Sequence, residues 1–249
     1  MRISVVIPTW NEELWLPRLL KSLSIIKDID EIIVADNASR DRTVSIAKAQ
    51  GCRVVRGGTP AKARNAGAKA SSGDILLFID ADAIVTEDSI HAVKAHFADS
   101  GIVAVHFRLS LISPTVVATL CYKMLDWYCA VISSLGLPQG IGSFIAVRRS
   151  AFLAARGFRE DLTAAEDVDM FRRLHCFGKV KYERGTVVHV SARRFVVENP
   201  LVFSAKCLLW AALRIMGFGV SVLPYQWVHY PSTAAFREEL GVQSLLDRH

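Results

Sequence analysis

Short apolar runs alternate with amphipathic stretches over the first hundred residues of the chain. The apolar runs predict β-strands, and stretches in which apolar side chains recur every three or four positions predict α-helices. The predicted strands are Ile3–Pro8, Glu31–Asp36, Arg53–Arg56, Asp74–Asp80 and Ile102–Leu109. The predicted helices are Glu12–Ile25, Asp41–Gln50, Pro60–Ser71 and Thr86–Asp99, with Thr86 as the N-cap of the last. This alternation predicts an α/β fold, with a mostly parallel, doubly wound sheet and helices on both faces.

The pattern changes after Pro114, where a long and mostly apolar helix is predicted over Val116–Leu135. The elements predicted downstream are strands Phe144–Arg148, Lys179–Tyr182 and Thr186–Val190, a short helix capped by Ser150 and closed by Gly157, and a helix over Ala164–Phe177. The second half of the chain therefore departs from the regular strand–helix alternation of the first half.

A further hydrophobic segment, Leu201–Leu223, is interrupted by Ser204, Lys206 and Arg214. Its uninterrupted stretches are far shorter than the roughly 20 residues that span a bilayer. Lysine and arginine side chains can extend to a membrane interface while their stems stay in contact with apolar surface. The segment is therefore predicted either as packed core or as an interfacial amphipathic helix.

Composition narrows the range of partners. The chain has 249 residues, of which 51% are hydrophobic, and its mean hydropathy is +0.29. These values indicate a large core or some apolar surface that meets a membrane. The net charge of +6 favours anionic partners such as nucleotide diphosphates or acidic headgroups. The basic residues are dispersed rather than clustered, so no nucleic-acid partner is expected.

The five cysteines form no C-x-x-C pair, and they are interpreted as reduced thiols in a cytoplasmic protein rather than as a zinc site. The apolar run at the amino terminus is broken by Pro8, too early for a signal peptide. The expected location is therefore the cytoplasm.

Two acids close the most apolar of the predicted strands, in the triplet Asp80-Ala81-Asp82. Ligands of open α/β sheets bind just beyond the carboxyl ends of the strands. Two carboxylates held there can bind a hard divalent cation and, through it, a diphosphate. Taken alone, the triplet fits a pair of solvated turn acids better, and the rest of the chain decides for the metal site.

Polar residues follow the other predicted strands at the same edge of the sheet. Thr9 and Glu12 follow the first strand, and Asp36 ends the second. Asp36 can accept hydrogen bonds from a nucleobase, although it also suits a simple turn. Arg64, near the start of the third predicted helix, suits contacts with phosphate or base; the alternative is a solvated helix face.

Five pieces of the chain occur together in an order typical of one family. They are Val5–Glu13, Ile33–Thr43, Ala63–Gly67, Gly73–Asp82 and Glu166-Asp167. On these pieces the chain resembles family-two glycosyltransferases of the GT-A fold, from Ile3 to about Val190. The resemblance implies a catalytic domain over residues 1–195, with a nucleotide-binding half (1–109) and an acceptor-binding half (110–195). An amphipathic C-terminal helical segment, 196–249, is predicted to associate with membrane.

The resemblance also implies roles for the residues at the strand ends. Thr9 and Glu12 would line the nucleotide pocket, and Asp36 would contact the base. Asp80 would face the ribose or the diphosphate, and Asp82 would ligate Mg²⁺ or Mn²⁺. The full set implied to bind the nucleotide sugar is Pro8, Thr9, Glu12, Asp36, Arg64, Asp80, Ala81, Arg193 and Arg194.

Family members of this kind invert the anomeric carbon by direct displacement, which requires a base to deprotonate the acceptor hydroxyl. The resemblance implies Asp167 as that base, with Glu166, Gly142 and Ser143 on the acceptor side. The alternative for Glu166 and Asp167 is a pair of acids that favour a helix amino terminus.

Three residues near the end of the resemblance have two interpretations each. His189 lies in a predicted strand, where it is either a second metal ligand, as the resemblance suggests, or structural. Arg193 and Arg194 either clamp the diphosphate or an anionic acceptor, or form a solvated turn.

The sequence therefore predicts a metal-dependent inverting hexosyltransferase that uses GDP-mannose or a UDP-hexose. The apolar helices suggest a lipid or lipid-phosphate acceptor and peripheral contact with the cytoplasmic face of a membrane. The Gln-x-x-Arg-Trp signature of processive synthases does not occur, which favours a single transfer. The alternatives are a nucleotidyltransferase of similar sheet architecture and a catalytically silent membrane-associated scaffold.

Overall fold

The computed structural model describes residues 1–112, 114–137, 140, 142–162 and 164–215. The strands are β1 (Ile3–Thr9), β2 (Glu31–Asp36), β3 (Arg53–Arg56), β4 (Ile75–Ile79), β5 (Ala83–Ile84), β6 (Ile102–Ile112), β7 (Phe144–Arg148) and β8 (Lys179–Ser191). The helices are α1 (Leu16–Ser24), α2 (Thr43–Ala49), α3 (Pro60–Ala70), α4 (Glu87–Phe97), α5 (Val116–Ser134), α6 (Arg149–Ala154), α7 (Glu166–Leu174), α8 (Arg193–Val197) and α9 (Pro200–Ile215).

The eight described strands form one sheet in the order β3-β2-β1-β4-β7-β6-β8-β5. The first four pair in parallel, β7 is antiparallel to both β4 and β6, β8 runs parallel to β6, and β5 runs antiparallel to β8. The predicted α/β fold is confirmed, and the parallel pairing is concentrated in the amino-terminal half, where each strand is followed by a helix.

Apolar side chains fill both faces of the sheet. On β1, Val5 and Ile7 point into one core cluster and Val6 points into the other. On β4, Leu77 lies in the first cluster and Phe78 in the second. Alternation of this kind in a strand with no polar face is typical of a sheet covered on both sides.

The helix α3 packs unusually close to β1. A Cβ atom added at Gly67 would lie only 2.2 Å from Cγ1 of Val6, so no larger residue fits there. Arg64 lies three residues earlier on the same side of the helix, because residues i and i+3 share a face. The close packing therefore carries the Arg64 side chain to the carboxyl ends of the central strands.

Several predicted boundaries are corrected. The first helix begins at Leu16 rather than at Glu12, since the main chain at Glu12 forms a turn in which its carbonyl accepts from the amide of Trp15. The predicted cap Ser150 is wrong, because α6 begins after Arg148 and lacks a side-chain cap. Thr86 is confirmed as the N-cap of α4, where it accepts a hydrogen bond from the amide of Ser89.

The two strands predicted near the end of the described chain are one strand, β8, with a shift of register opposite the Phe107–Arg108 step of β6. The chain then turns into the short helix α8, which the pattern did not predict. The helical part of the predicted segment Leu201–Leu223 is α9, which packs against α5, and residues 216–223 lie outside the described residues.

By length and composition, α5 is the one helix in the described part of the chain that reaches the size of a membrane span. About a fifth of its most apolar window is buried against the rest of the protein. The exposed remainder includes Val116, Leu120 and Trp127.

Candidate active site

A cavity of about 520 Å³ opens at the carboxyl ends of β1 and β4. One wall carries the charged residues that follow these strands, and helices α5, α7 and α9 form the opposite wall. Cavities at this edge of an α/β sheet are the usual position of ligand sites. All of the site residues proposed from the sequence line the cavity except Asp36 and His189.

Arg64 joins the two walls. Its Nη2 atom donates to Oδ1 of Asp80 at 2.9 Å, and its Nη1 atom donates to Oε1 of Glu166 at 2.8 Å. The guanidinium also lies over the ring of Phe158, 5.5 Å from its centroid. Arg64 and Glu166 are both buried, so this ion pair is shielded from solvent. The end of β4 and the start of α7 are thereby held together; we call Arg64, Asp80 and Glu166 the Arg64 cluster.

Arg193 forms a second bridge within the charged wall. Its two terminal nitrogens donate to both carboxylate oxygens of Glu12, at 2.7 and 2.9 Å. Its Nε atom lies 2.8 Å from Oδ2 of Asp82. The ring of Trp15 completes the surroundings, 5.7 Å from the guanidinium carbon. We call Arg193, Glu12 and Asp82 the Arg193 cluster.

The main chain explains how Arg193 reaches Asp82. The amide of Ser191 donates to the carbonyl of Asp82 at 3.2 Å, next to the short β5–β8 pairing. Oγ of Ser191 in turn accepts from the amide of Arg193. The end of β8 is therefore fixed to the Asp-Ala-Asp segment before α8 begins.

Acidic charge exceeds basic charge around the cavity. Among the described lining residues there are five carboxylates and three guanidinium groups, and so an excess of two negative charges when all are ionised. The acids are Glu12, Asp80, Asp82, Glu166 and Asp167, and the bases are Arg64, Arg193 and Arg194. Withdrawal from water raises the pKa of Glu12 to about 7, against the opposing attraction of Arg193.

Asp167 heads α7 and faces the same cavity. Withdrawal from water is the largest cause that raises its pKa to about 7, and the neighbouring Glu166 charge adds to it. Its Oδ1 atom accepts from the amide of Val168 at 2.8 Å. A Cβ atom at Gly142 would lie 3.1 Å from Oδ2 of Asp167, so the absence of a side chain there leaves room beside the carboxylate. A carboxylate with a pKa near 7 is a suitable base for a neutral solution.

Asp36 is buried one layer behind the cavity wall. Its Oδ1 atom accepts from the hydroxyls of Thr9 and Ser39, and its Oδ2 atom accepts from the amide of Ser39. A carboxylate offers about four acceptor positions, so one remains for a base N–H. The contact between Asp36 and a nucleobase stays a prediction, and the observed bonds hold Thr9 at the cavity.

His189 is not brought to the cavity, and its prediction as a metal ligand is corrected. Along β8, Val188 and Val190 are buried, while His189 lies on the opposite side of the strand and is exposed. Because successive strand residues point to opposite faces, the packing of the two valines turns the imidazole outward.

Apart from the acids at the start of α7, the wall opposite the strand ends is almost entirely apolar. Tyr122 packs edge-on against Phe195, which packs edge-on against Phe203. The thiols of Cys129 and Cys207 have pKa values raised to about 12, chiefly by burial, and behave as apolar groups. The residues of this apolar wall are Leu111, Tyr122, Leu125, Tyr128, Cys129, Phe195, Phe203, Cys207, Leu208, Trp210 and Ala211.

Sequence reasoning identified the charged wall and missed this apolar one as a site. The available signal was the aromatic content of α5 and α9; the sequence connected the hydrophobicity of these helices with a lipid acceptor and membrane contact, but not with the lining of the cavity. Trp10 and Asn37, next to predicted site residues, also line the cavity and were not proposed.

The charged wall fits a divalent cation only in part. Asp80 and Asp82 supply oxygen ligands of the type that Mg²⁺ and Mn²⁺ bind, and the excess of negative charge favours a divalent ion. The described residues contain no cluster of three or more acidic, histidine or cysteine ligands, so part of the coordination must come from substrate or water. Mg²⁺ commonly binds through one or two carboxylates and substrate phosphates, which suits this set.

The sheet and the cavity together define a glycosyltransferase of the GT-A type. The chain belongs to glycosyl transferase family 2, whose profile matches residues 4–152, more than half of the sequence. It is 33% identical over 216 residues to the O-antigen chain rhamnosyltransferase of Salmonella typhimurium. The match covers 77% of this chain and 67% of that relative.

Another relative is the 4,4′-diaponeurosporenoate glycosyltransferase of Staphylococcus haemolyticus, 42% identical over 102 residues. That match covers 37% of this chain, and the chain spans only 27% of that relative's length. Among solved structures, a mannosyltransferase from Pyrobaculum calidifontis, in complex with GDP-Man and Mn²⁺, superposes with a TM-score of 0.69. The superposition covers 99% of this chain and 70% of the mannosyltransferase chain. At 18% sequence identity, it shows that the two chains share a fold.

Proposed function

We propose that this protein transfers a hexose from a nucleoside diphosphate sugar, GDP-mannose or a UDP-hexose, to a lipid acceptor at a membrane surface, with inversion. The observation that carries the proposal is a single cavity that joins an acid-rich wall, a carboxylate with a pKa near 7 and a long apolar wall. The first suits a diphosphate with its cation, the second a general base and the third a lipid chain.

In the proposed reaction, Asp167 accepts the proton of the acceptor hydroxyl. The hydroxyl oxygen forms a bond to the anomeric carbon, from the face opposite the diphosphate. The bond between that carbon and the diphosphate oxygen breaks, and its electron pair leaves with the nucleoside diphosphate. Glu166 is held by Arg64, so the helix that carries Asp167 keeps its position during the transfer.

The charged wall would hold the donor. Asp82 and Asp80 are the residues proposed to bind Mg²⁺ or Mn²⁺; the mannosyltransferase of Pyrobaculum calidifontis, which shares the fold, was solved in complex with GDP-Man and Mn²⁺. When bound, the metal supplies positive charge that stabilises the departing diphosphate. Thr9 and Asp36, joined by a 2.9 Å hydrogen bond, would lie at the base and ribose end.

The assignment of a lipid acceptor rests on two surfaces of helices α5 and α9, one that lines the cavity and one that faces outward. The apolar wall between α5 and α9 suits a hydrocarbon chain whose hydroxyl end reaches Asp167. The outer sides of the same helices expose Leu120, Trp127 and Leu201. The exposed lysines Lys123 and Lys206 accompany them, while the one acid of these two helices, Asp126, is buried. Such a surface favours peripheral binding to an anionic membrane, and we place the protein at its cytoplasmic face.

A transfer assay tests the proposal. Purified protein is mixed with Mn²⁺, labelled GDP-mannose or UDP-glucose, and anionic liposomes that contain diacylglycerol or a polyprenyl phosphate. We expect labelled lipid and free nucleoside diphosphate, with protein that floats with the liposomes. Asp167→Asn should lower kcat by about 10²- to 10⁴-fold, the usual contribution of a general base.

The control is Asp88→Asn, which changes an exposed acid of α4 outside the cavity and should leave the rate unchanged. Release of pyrophosphate would instead identify a nucleotidyltransferase. Full activity of Asp167→Asn would remove the base assignment, and protein that stays out of the liposome fraction would remove the membrane assignment.

A further inference from the structure

Asp82, the residue proposed to bind the metal, already has a cationic partner. The Nε atom of Arg193 lies 2.8 Å from Oδ2 of Asp82, and the other two nitrogens of the same guanidinium are bound to Glu12. All three nitrogens of the Arg193 guanidinium are therefore engaged within the Arg193 cluster. A metal ion on the same Asp82 oxygen would lie within a few ångströms of the guanidinium, where like charges repel strongly.

The competition between Arg193 and a metal ion for Asp82 depends on which charged ligands are in the cavity. With Arg193 in place, the described lining residues carry an excess of two negative charges when all of their acids are ionised. A nucleoside diphosphate sugar adds two more, so the donor alone meets repulsion from the carboxylates. A divalent cation alone meets the competing guanidinium. When both enter, the metal neutralises the acids and the diphosphate becomes a new partner for Arg193.

Arg193 differs in its position from Arg64, the other arginine that bridges two acids at this cavity. Arg64 is 3% exposed and belongs to a helix packed tightly on the sheet. Arg193 is 15% exposed and begins the five-residue helix α8. Its partners Glu12 and Asp82 lie on the cavity surface, where a diphosphate can reach the same guanidinium.

We propose that Asp82 exchanges Arg193 for the divalent metal only when a nucleoside diphosphate is present, so that metal and donor bind as a coupled pair. The inference rests on the proposed function, because it uses the donor class named there. Linkage requires the coupling to be reciprocal: the nucleotide tightens metal binding by the same factor by which the metal tightens nucleotide binding.

The experiment measures Mn²⁺ binding by the electron paramagnetic resonance signal of free Mn²⁺, with no sugar or acceptor present and with the Mn²⁺ that each nucleotide chelates in protein-free samples subtracted. The probes are Mn²⁺ alone and Mn²⁺ with UDP, GDP or dTDP. For the unaltered protein we expect weak binding of Mn²⁺ alone and affinity about 10- to 100-fold higher with one of the nucleotides, the usual range of coupling between sites. Calorimetric titration of the same nucleotide with and without Mn²⁺ should return the same factor.

Arg193→Gln is the decisive variant. Removal of the competing cation should raise the affinity for Mn²⁺ alone by about 5-fold or more and lower the coupling factor by the same ratio, while the diphosphate still supplies ligands to the metal. Arg193→Lys keeps the charge without the bidentate fork and should fall between the two, which retains a test if the glutamine variant folds poorly. Arg184→Gln is the matched control, because it removes an exposed arginine of β8 outside the cavity lining and leaves the Arg193 ion pairs intact; it should keep the coupling.

Equal Mn²⁺ affinity with and without every nucleotide would overturn the proposal. So would an Arg193→Gln variant whose affinity for Mn²⁺ alone is unchanged, or a protein that binds nucleotide without ever binding Mn²⁺, since Arg193 would then replace the metal permanently. Failure of the proposed function gives a different result, namely coupled binding of Mn²⁺ and nucleotide without transfer of sugar to lipid.

Discussion

Two arginines hold two acids each around one cavity, and they differ in how firmly they are fixed. Arg64 joins Asp80 to Glu166 from inside the protein, with 3% of its side chain exposed. Arg193 joins Asp82 to Glu12 at the cavity surface, with 15% exposed. The Arg64 cluster connects β4 with α7, whereas the Arg193 cluster connects the loop after β4 with the loop after β1. The comparison indicates a permanent structural link on one side and a link open to substrate on the other.

Loss of each guanidinium should separate the two clusters most clearly. Arg64→Met leaves Asp80 and the buried Glu166 without a counter-charge, and we expect the free energy of unfolding to fall by about 3–5 kcal/mol. Arg193→Met removes a guanidinium that is itself more exposed, 15% against 3% for Arg64, so solvent already screens part of its ion-pair energy and we expect a loss of about 1–2 kcal/mol. Urea unfolding at pH 7.5, followed by circular dichroism, measures both.

The matched control is the lysine variant at each position, which retains charge and loses the fork. Lysine cannot bridge two carboxylates in the geometry of Arg64, so Arg64→Lys should recover little of the lost stability. Equal losses in the free energy of unfolding for Arg64→Met and Arg193→Met would show that the two clusters do not differ in how firmly they are held.

The next effect concerns pH. The pKa of Asp167, beside the Arg64 cluster, is raised to about 7, whereas an unfolded aspartate has a pKa near 4. Between these values the folded state binds more protons than the unfolded state, so the free energy of unfolding falls as pH rises. We expect a loss of roughly 1–3 kcal/mol from this group between about pH 4 and pH 7, and a plateau above.

Asp167→Asn removes this titration, so its melting temperature should exceed that of the unaltered protein at pH 8 and the difference should shrink toward pH 5. The same series with Glu12→Gln samples the Arg193 cluster, where the pKa is also raised to about 7. A difference in melting temperature between each variant and the unaltered protein that does not grow from pH 5 to pH 8 would contradict the direction of that group's shift.

The sequence predicted the charged wall well, because its residues lie next to strand ends. An apolar strand that ends in Asp80 and Asp82 leaves those acids at the carboxyl edge whatever the rest of the chain does. The alternation of β1 and β4 side chains between the two core clusters follows from the period of two in a strand. The outward direction of His189 was also available, since Val188 and Val190 on either side of it are apolar.

The Arg193 cluster was beyond sequence reasoning. Arg193 and Glu12 are 181 positions apart, and their contact depends on the long β6–β8 ladder, its register shift and the two-residue β5. None of these has a local signature. The apolar cavity wall was missed for a similar reason: periodicity predicted α5 and α9 as helices, but their mutual packing decides which side chains face the cavity.

The smallest expected effect concerns the residues that precede α7 and α8, the helices that carry Glu166 and Arg193. Ala165, just before Glu166, has a φ of 54°, in the left-handed region that a residue with a Cβ atom adopts at a cost. Ala192, just before Arg193, has a φ of −79° and no such strain. Ala165→Gly relieves the strain but adds backbone freedom to the unfolded chain, so we expect a net change in stability within about 1 kcal/mol.

The transfer rate of Ala165→Gly should fall several-fold, because Glu166 and Asp167 lose the rigid backbone that positions them at the start of α7. The control variant Ala192→Gly should lower the stability slightly and leave the transfer rate closer to normal. Melting curves and single-turnover rates on the two glycine variants distinguish these outcomes. A faster Ala165→Gly enzyme would mean that the left-handed alanine restrains the base rather than positions it.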